Sequence, residues 1–286
     1  MSAWDSPYAV RCPVCRAYSR AVSDAAKGSS DGAVSFSAVI PTWNEEDWLP
    51  RIVEQLNRAC EVGEIIVADN TSDDRTREIA LRAGCKVIDG GYPARGRNAG
   101  ASVATTDYFL FVDADAVLPE GSLRTALAAL ADGDVGAVHF RLEPLGGSRF
   151  VRACYRILEL YFRAAARVGI AQGVGPVIAV TRSEYNRVGG FREDLGAGED
   201  IDFLRRVGRG SRVMFVTSIR VGASTRRFVV EHPLSFASKT VIWGVLRLLD
   251  VGHELMPYRW QRYPPDLARR EAAPVETFLL KSEKGR

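Results

Sequence analysis

Short apolar runs alternate with amphipathic stretches along the first half of the chain. The runs are typical of buried strands and cover residues 34–42, 64–69, 85–89 and 108–115. The stretches between and after them have helical periodicity and cover residues 45–60, 73–84, 96–105 and 119–130. Beyond residue 131 the alternation loosens into a predicted strand at 135–144 and a long helix at 149–169. Strands that alternate with helices predict an α/β fold, in which a mostly parallel sheet is flanked by helices.

Polar side chains stand where three of the predicted strands end. Asn44 and Glu45 follow the first strand, Asp69 ends the second, and Asp113 and Asp115 end the fourth. In open sheets of this design, ligands bind beyond the carboxyl ends of the strands. We therefore expect these five residues to lie on one rim of the sheet.

The Asp113-Ala114-Asp115 segment places two carboxylates side by side at the end of an apolar strand. Their repulsion is severe unless positive charge intervenes. A divalent cation is the simplest source of that charge, because hard oxygen ligands suit Mg²⁺ or Mn²⁺ and substrate phosphates usually complete the shell. An isolated Asp-x-Asp is also common in solvated turns, but the other acids on the rim favour the metal.

Two common nucleotide-binding signatures are missing from the sequence. No Gly-x-Gly-x-x-Gly follows a predicted strand, and no Gly-x-x-x-x-Gly-Lys-Ser/Thr occurs. Their absence argues against a dinucleotide dehydrogenase and a P-loop NTPase. A nucleotide can still be held by the rim carboxylates, with its phosphates on the metal.

The composition is that of a chain with a sizeable core, with 286 residues of which 47% are hydrophobic. The longest apolar stretch, 240–251, is short and broken by Arg247, so no membrane-spanning helix is predicted. The first thirty residues lack a signal-peptide core, which predicts a cytoplasmic protein. Residues 1–34 are expected to form a disordered or loosely packed leader. Its Cys12 and Cys15 lack the second pair or the histidines that a metal knuckle requires.

Positive charge is concentrated late in the chain. Residues 205–270 contain 13 Lys and Arg against 4 Asp and Glu, whereas the whole chain has a net charge of +3. This pattern predicts an anionic partner, such as a phosphate group or an acidic lipid surface, although solvated arginines are an equal alternative. Within this region residues 233–252 predict a helix that either lies on an anionic membrane, helped by Trp260, or packs on the catalytic domain.

Several motifs follow one another in a fixed order. They are Ile-Pro-Thr-Trp-Asn-Glu-Glu at 40–46, Val-Ala-Asp-Asn-Thr-Ser-Asp-Asp-Arg-Thr at 67–76, Gly-Arg-Asn-Ala-Gly at 96–100, Asp-Ala-Asp at 113–115 and Gly-Glu-Asp at 198–200. In order and spacing they resemble the inverting glycosyltransferases of family 2, which have the GT-A fold. The resemblance covers about residues 35–226.

The resemblance implies a hexosyltransferase-type enzyme that uses a UDP or GDP sugar, with Mn²⁺ or Mg²⁺ as cofactor. Asp115 and Asp113 correspond to the metal ligands, Asp200 to the catalytic base, and Glu199 to its helper or the acceptor binder. The residues assigned to the nucleotide sugar are Pro41, Thr42, Asn44, Glu45, Asp69, Arg97, Asn98, Asp113, Ala114, Gly173, Gly175 and Arg226.

The sequence differs from the family pattern at two places. Thr71 and Arg75 replace the usual glycines of the turn after the second strand, so we expect that turn to take another shape. Some relatives use a late histidine as a metal ligand, and His232 is nearest to that position, but its spacing favours a structural role.

The same chemistry follows from the residues themselves. Transfer from a nucleotide sugar requires charge stabilisation on the departing diphosphate, which a metal and Arg97, Arg226 or Arg227 can supply. It also requires a carboxylate to deprotonate the incoming hydroxyl. We predict a catalytic domain at 35–230 and a C-terminal helix with an irregular tail at 231–286. For the glycosyltransferase, the expected acceptor is a hydroxyl group of a lipid-linked molecule or of a glycan. The rival interpretations are a sugar nucleotidyltransferase and a non-catalytic sugar-nucleotide binding protein.

Overall fold

The computed structural model describes residues 34–131, 133–195, 197–248 and 275–279. The strands in these residues are β1 (Phe36–Thr42), β2 (Val62–Asp69), β3 (Lys86–Asp89), β4 (Tyr108–Val112), β5 (Ala116–Val117), β6 (Val135–Pro144), β7 (Val177–Thr181) and β8 (Arg212–Ala223). The helices are α1 (Leu49–Arg58), α2 (Thr76–Arg82), α3 (Pro93–Val103), α4 (Ser122–Ala131), α5 (Arg149–Arg167), α6 (Arg182–Val188), α7 (Glu199–Gly208), α8 (Arg227–Val230) and α9 (Pro233–Leu248). The leader, with Cys12 and Cys15, and the segment around Trp260 lie outside the described residues.

These strands form one sheet in the order β3-β2-β1-β4-β7-β6-β8-β5. β1 pairs in parallel with both β2 and β4, so that Ala38 lies opposite Ile65 on one side and Leu110 on the other. β3 and the pair β6–β8 keep the same direction, whereas β7 and β5 are antiparallel to their neighbours. The predicted mostly parallel sheet is therefore confirmed.

The direction of β7 follows from the connection that precedes it. β7 begins beside the end of β4, with Val177 opposite Val112, and it pairs antiparallel with β6. The long helix α5 leaves this edge, and residues 168–176 return the chain to it. The segment before β7 therefore borders the edge at which β1, β4, β6 and β8 end.

Helices cover both faces of the sheet. Along β4, Leu110 and Val112 pack in the cluster that contains α1 and α4, and Phe109 and Phe111 pack in the cluster that contains Phe203 of α7. Successive side chains of a strand point to opposite faces, so burial on both faces produces an uninterrupted apolar run. This explains why β4 was recognisable from the sequence.

Two helices begin at different residues than predicted. α1 begins at Leu49 rather than at Glu45, because Pro50 fits only the first turn of a helix. Glu45 is thereby left outside the helix. α3 begins at Pro93 rather than at Gly96, so that Arg97 lies in its second turn instead of its first.

α9 packs on the domain through Ala237, Thr240 and Trp243, which are buried. The predicted packing of this helix is thus observed, although its other side is exposed. In the irregular tail, residues 275–279 are helical, which corrects the prediction there; Val275 and Phe278 pack against Trp48. None of the helices in the described part of the chain combines the length and the apolar character needed to cross a membrane.

Candidate active site

A cleft of about 230 Å³ lies at the edge of the sheet where β4 ends and β7 begins. Most side chains selected from the sequence line this cleft. They are Pro41, Thr42, Asn44, Glu45, Arg97, Asp113, Ala114, Asp115, Gly175, Glu199, Asp200 and Arg226. The structure thus brings the strand-end carboxylates and the Glu199-Asp200 pair into one space, as expected for parallel strands that end at a common edge.

Arg97 joins the two groups of acids. Its guanidinium is buried and donates through Nη2 to Oδ1 of Asp113 at 2.9 Å and through Nη1 to Oε1 of Glu199 at 2.8 Å. Burial alone would lower the pKa of Arg97, but the charges of Asp113, Glu199 and Asp200 outweigh burial and raise it well above its ordinary value. Arg97 is therefore a permanent cation between the end of β4 and the start of α7.

Arg226 neutralises the other strand-end acids. Its two terminal nitrogens donate to the two carboxylate oxygens of Glu45 at 2.8 and 2.6 Å, a bidentate geometry. Its Nε lies 3.0 Å from Oδ2 of Asp115. Arg97 and Arg226 thus supply positive charge beside Asp113 and Asp115, to which the metal ion suggested by the sequence would add.

The cleft nevertheless holds more negative than positive charge. The charged side chains that line it among the described residues are Glu45, Asp113, Asp115, Glu199, Asp200, Arg97, Arg226 and Arg227. Burial, reinforced by Asp115 and Asp113, raises the pKa of Glu45 to about 7 despite Arg226. Burial also raises the pKa of Asp113 despite Arg97. Both pKa shifts arise mainly from burial, to which the neighbouring carboxylates add.

A divalent cation fits the cleft when it is accompanied by a phosphate. In the part of the chain that the structure describes, no three His, Cys, Asp or Glu side chains are grouped to hold a metal by themselves. Mg²⁺ and similar ions commonly take one or two carboxylates and complete their shell with phosphate oxygens and water. Asp115 and Asp113 provide such carboxylates. His232 does not line the cleft: its Nδ1 accepts from the Leu234 amide at 3.3 Å, as a structural role requires.

Asp200 is held firmly at the start of α7. Its Oδ2 accepts from the amide of Gly175 at 2.7 Å, and its Oδ1 accepts from the amide of Ile201 at 2.8 Å. Burial and then the charge of Glu199 raise the pKa of Asp200 to about 6, against the opposing effect of Arg97. A carboxylate of this kind is ionised at pH 7 and is basic enough to accept a proton.

Asp69 lies beneath the cleft rather than on its surface. Its side chain is buried, and its carboxylate accepts from Thr42 Oγ1 at 3.2 Å and from Ser72 Oγ at 2.6 Å. The turn 70–75 is further tied to the end of β1, because Asn44 Nδ2 donates to Asp73 at 2.6 Å. Asp69 therefore positions the two loops at one end of the cleft, and direct contact with a base remains a prediction.

The turn after β2 keeps a conformation that suits glycine. Thr71 has a φ of 48°, in the left-handed region that β-branched residues rarely adopt. The sequence had suggested that a turn without glycine takes another shape; at residue 71 the side chain instead tolerates the left-handed backbone. Such a residue costs about 1–3 kcal/mol, and it persists because the side-chain bonds of the turn hold it in place.

Asn98 and Gly173, like Asp69, were selected from the sequence but do not line the cleft. The amide group of Asn98 donates to the Phe191 carbonyl at 2.8 Å and accepts from the Tyr185 hydroxyl at 2.8 Å, so it fastens α3 to the region after α6. Gly173 packs against His139: a Cβ at this position would lie 2.4 Å from the imidazole Nδ1. Both residues support the fold next to the cleft rather than its surface.

The sequence interpretation missed an aromatic part of the lining. It consists of Trp43 and Tyr92 at one end and of Leu142, Tyr155, Val174, Phe228, Phe236 and Trp243 at the other. Leu142 to Trp243 come from β6, α5, α8, α9 and the segment before β7. For α9 the sequence predicted a helix with an apolar side, but periodicity cannot tell which surface that side covers.

Solved structures define the class of fold. A mannosyltransferase from Pyrobaculum calidifontis in complex with GDP-Man and Mn²⁺ superposes with a TM-score of 0.58 and 21% identity, over 94% of this chain and 80% of that one. A glucosyl-3-phosphoglycerate synthase from Mycobacterium tuberculosis, in complex with Mn²⁺, UDP and glucosyl-3-phosphoglycerate, gives 0.55 and 18%, over 80% and 82% of the two chains. The fold is therefore that of the GT-A glycosyltransferases.

Sequence comparison then identifies the family. The model of Glycosyl transferase family 2 matches residues 37–188, more than half of the chain. The chain belongs to glycosyl transferase family 2.

Two curated relatives agree with this membership. The chain is 36% identical over 180 residues to a 4,4'-diaponeurosporenoate glycosyltransferase of Staphylococcus haemolyticus, which is 56% of this chain and 47% of that protein. It is 31% identical over 250 residues to a pre-mycofactocin glycosyltransferase of Mycobacterium tuberculosis, which is 76% of this chain and 53% of that protein. The chain thus spans about half the length of these relatives.

Proposed function

We propose that this chain is a metal-dependent inverting glycosyltransferase, which moves a sugar from a nucleoside-diphosphate sugar to a hydroxyl acceptor. The observation that carries the proposal is the excess of carboxylates over arginines in a cleft at the strand ends. A diphosphate enters such a cleft favourably only with added positive charge, and a divalent cation provides it. The structural neighbours in complex with GDP-Man or UDP together with Mn²⁺ support a donor and cofactor of this type.

The nucleotide and the diphosphate of the donor are assigned to different parts of the cleft. We assign the nucleotide to the end formed by Trp43, Asn44 and Tyr92, with UDP and GDP both open. Asp115, with Asp113 beside it, would hold the Mn²⁺ or Mg²⁺, which when bound supplies Lewis-acid stabilisation of charge on the diphosphate.

The arginines contribute charge of their own. Arg226 lies between Glu45 and Asp115 and offers a guanidinium to the leaving diphosphate. Arg97 keeps Asp113 oriented toward the cleft.

We assign the proton transfer to Asp200 rather than to Glu199. The carboxylate of Glu199 already accepts a hydrogen bond from Arg97 at 2.8 Å and is engaged in a buried ion pair. Asp200 is held by two backbone amides, and its pKa is raised to about 6. A base at this position deprotonates the acceptor hydroxyl as it attacks the anomeric carbon opposite the leaving group, which inverts that carbon.

The rival functions make different demands on the same residues. A sugar nucleotidyltransferase requires a glycine-rich basic loop after the first strand, whereas residues 41–46 contain neither glycine nor a basic residue. A non-catalytic binding protein has no need for a held, basic carboxylate such as Asp200. Transfer assays with the Asp200 variant described in the Discussion separate an enzyme from a binding protein.

Metal-dependent donor binding is the experiment that tests the proposal. Thermal unfolding of the full chain is measured with UDP and GDP sugars, with and without Mn²⁺, and after addition of a chelator. We expect one donor to raise Tm by several degrees only when the metal is present, because binding to the native state stabilises it by about 2.7 kcal/mol at a hundredfold excess over Kd. Asp115→Asn should abolish this increase.

Asp107→Asn is the matched control for Asp115→Asn. Asp107 precedes β4 at the opposite edge of the sheet, and its side chain is 89% exposed. The control should retain the full metal-dependent increase. If no donor changes Tm with metal, or if Asp115→Asn responds like the native chain, the proposal is wrong.

The outer faces of α5 and α9 suggest a peripheral contact. Their exposed apolar residues are Phe150, Ile157, Leu160, Leu234, Ile242 and Val245. Exposed arginines accompany them at 149, 152, 156 and 167 of α5. We propose that this surface lies on an anionic membrane, because apolar and basic side chains together suit such an interface, whereas a second copy of the same surface would bring like charges together.

Vesicle binding tests the membrane contact. We expect the chain to sediment with vesicles that contain phosphatidylserine and to remain in solution with neutral phosphatidylcholine vesicles. Leu160→Glu should reduce the bound fraction severalfold, and Leu81→Glu, which changes an equally exposed leucine of α2, should not. Sedimentation that does not depend on lipid charge, or a dimer in solution that Leu160→Glu dissociates, would contradict the contact. The cytoplasmic location stays a prediction from the sequence.

A further inference from the structure

One wall of the cleft is apolar and partly aromatic. It is formed by Leu142, Tyr155, Val174, Phe228, Phe236 and Trp243. Three of its rings contact one another: the centroids of Tyr155 and Phe228 are 6.0 Å apart, and those of Phe228 and Phe236 are 5.5 Å apart. Residues from four secondary-structure elements thus make one continuous surface, which we call the aromatic wall.

The aromatic wall extends into a side cavity. This cavity, of about 40 Å³, shares Leu142, Tyr155, Val174 and Phe236 with the cleft. Its remaining lining consists of His139, Phe140, Leu158, Glu159, Phe162 and Phe215. The side cavity therefore adjoins the cleft at these four shared residues of the aromatic wall.

The imidazole and the carboxylate that line the side cavity are neutral and paired, respectively. His139 stacks on Phe215 with ring centroids 4.6 Å apart, and burial lowers its pKa to about 3, so that it is neutral at pH 7. Glu159 is paired with Arg141 at 2.8 Å and with Arg163 at 2.6 Å. The side cavity consequently resembles an apolar pocket, in which a polar ligand would lose more hydration than it regains.

The aromatic wall begins next to the proposed base. Val174 precedes Gly175, whose amide binds Asp200, and Trp243 packs in one cluster with Ile201, the residue after Asp200. Thr240, a polar residue of the same side, donates its hydroxyl to the Phe236 carbonyl at 2.9 Å. Apolar side chains therefore lie next to Asp200, where the body of a molecule whose hydroxyl reaches this carboxylate would be placed.

We infer that the acceptor is an amphipathic molecule, in which the reacting hydroxyl is joined to an aliphatic or aromatic body that binds the aromatic wall and the side cavity. This inference rests on the proposed function and specifies its acceptor class in preference to a free glycan. Each buried methylene contributes about 0.8 kcal/mol, so even partial burial of a short alkyl chain favours binding by more than tenfold.

Two acceptors with the same hydroxyl groups test the inference. Octyl glucoside, kept below its critical micelle concentration, is compared with methyl glucoside, using the donor found by metal-dependent stabilisation. Transfer is followed by release of nucleoside diphosphate, and binding of each glucoside is measured by calorimetry with the nucleoside diphosphate and Mn²⁺ present. We expect KM and Kd to be at least about tenfold lower for the octyl compound.

A polar substitution in the aromatic wall provides the second arm. Phe236→Gln should bring the ratio of the two KM values close to one, while the donor still raises Tm with metal. Leu81→Gln on α2 is the control and should leave the ratio unchanged. If the donor binds but octyl glucoside binds no better than methyl glucoside, the inference is wrong and the proposed function stands. If no donor binds with metal, the proposed function fails, and the inference about the acceptor fails with it.

Discussion

Replacement of Asp200 by asparagine is expected to lower kcat by about 10³-fold, because loss of a positioned general base costs 10²–10⁴-fold. The amide of asparagine is nearly the same size as the carboxylate but accepts no proton at neutral pH. Donor binding should survive, since Asp200 bonds to Gly175 and Ile201 rather than to the strand-end acids. Initial rates of sugar transfer and the donor-induced change in Tm are the two measurements.

The pH profile distinguishes a lost base from a disturbed fold. The kcat/KM of the native chain should fall about tenfold per pH unit below pH 6, because the pKa of Asp200 is raised to about 6 and only its ionised form acts as a base. The residual activity of Asp200→Asn should lack this decline. Glu199→Gln is the companion variant; it removes the negative charge next to Asp200 but keeps an acceptor for Arg97, so it should retain the decline, moved to lower pH. A profile that Asp200→Asn shares with the native chain would falsify the assignment of the base.

Replacement of Arg97 by methionine is expected to lower the free energy of unfolding by about 3 kcal/mol, the lower end of the range for a broken buried pair, since it leaves the buried Glu199 and the partly exposed Asp113 without their partner. The Arg97 side chain is only 4% exposed, and its bonds to Asp113 and Glu199 span 16 and 102 positions of the chain, respectively. Denaturant unfolding of the full chain measures the loss. Arg97→Lys should cost less, because it keeps the charge but cannot bond to both acids in the same way.

Two comparisons separate burial from charge. Arg58→Met removes an arginine whose side chain is 78% exposed and pairs with Glu54, and it should change stability little. Arg97→Met combined with Glu199→Gln should recover part of the stability, because one of the two uncompensated charges disappears. The interpretation is wrong if Arg97→Met and Arg58→Met have the same unfolding midpoint.

The parts of the site that follow β-strands were predictable from the sequence. Asp113 and Asp115 come directly after a strand that is apolar on both faces, and parallel strands bring such ends to one edge. The strand direction alone therefore brought Glu45 and Asp115 to the same cleft. The position of Asp200 depended instead on the ordered motifs of the family, because α7 lies far along the chain.

Contacts between residues that are distant in the chain could not be predicted from the sequence. Arg226 was selected as a phosphate contact, but its bidentate bond to Glu45 spans 181 positions, and no periodicity encodes such a distance. The aromatic wall escaped for a similar reason. Tyr155 and Phe236 lie on different helices, and an amphipathic pattern shows that a helix has an apolar side without showing what that side meets.

Backbone strain also left no usable signal. The absence of glycine at position 71 suggested a different turn, yet Thr71 adopts a positive φ. The preference of threonine against a positive φ amounts to about 1–3 kcal/mol. The hydrogen bonds made by the side chains of Asp69 and Asn44 together outweigh this cost. A motif can also be recognised while the contacts of one of its residues are not predicted. Asn98 belongs to such a motif, yet its side chain donates to the Phe191 carbonyl instead of lining the cleft.

The shared guanidinium of Arg97 should restrict how its position and those of its partners vary in evolution. Because a single side chain satisfies Asp113 and Glu199 together, loss of Arg97 leaves both carboxylates without their partner, and loss of either carboxylate leaves Arg97 with one acceptor fewer. Natural descendants of this chain should therefore keep the trio intact or exchange its members jointly, so that aligned sequences reveal correlated replacement at positions that are otherwise remote from one another.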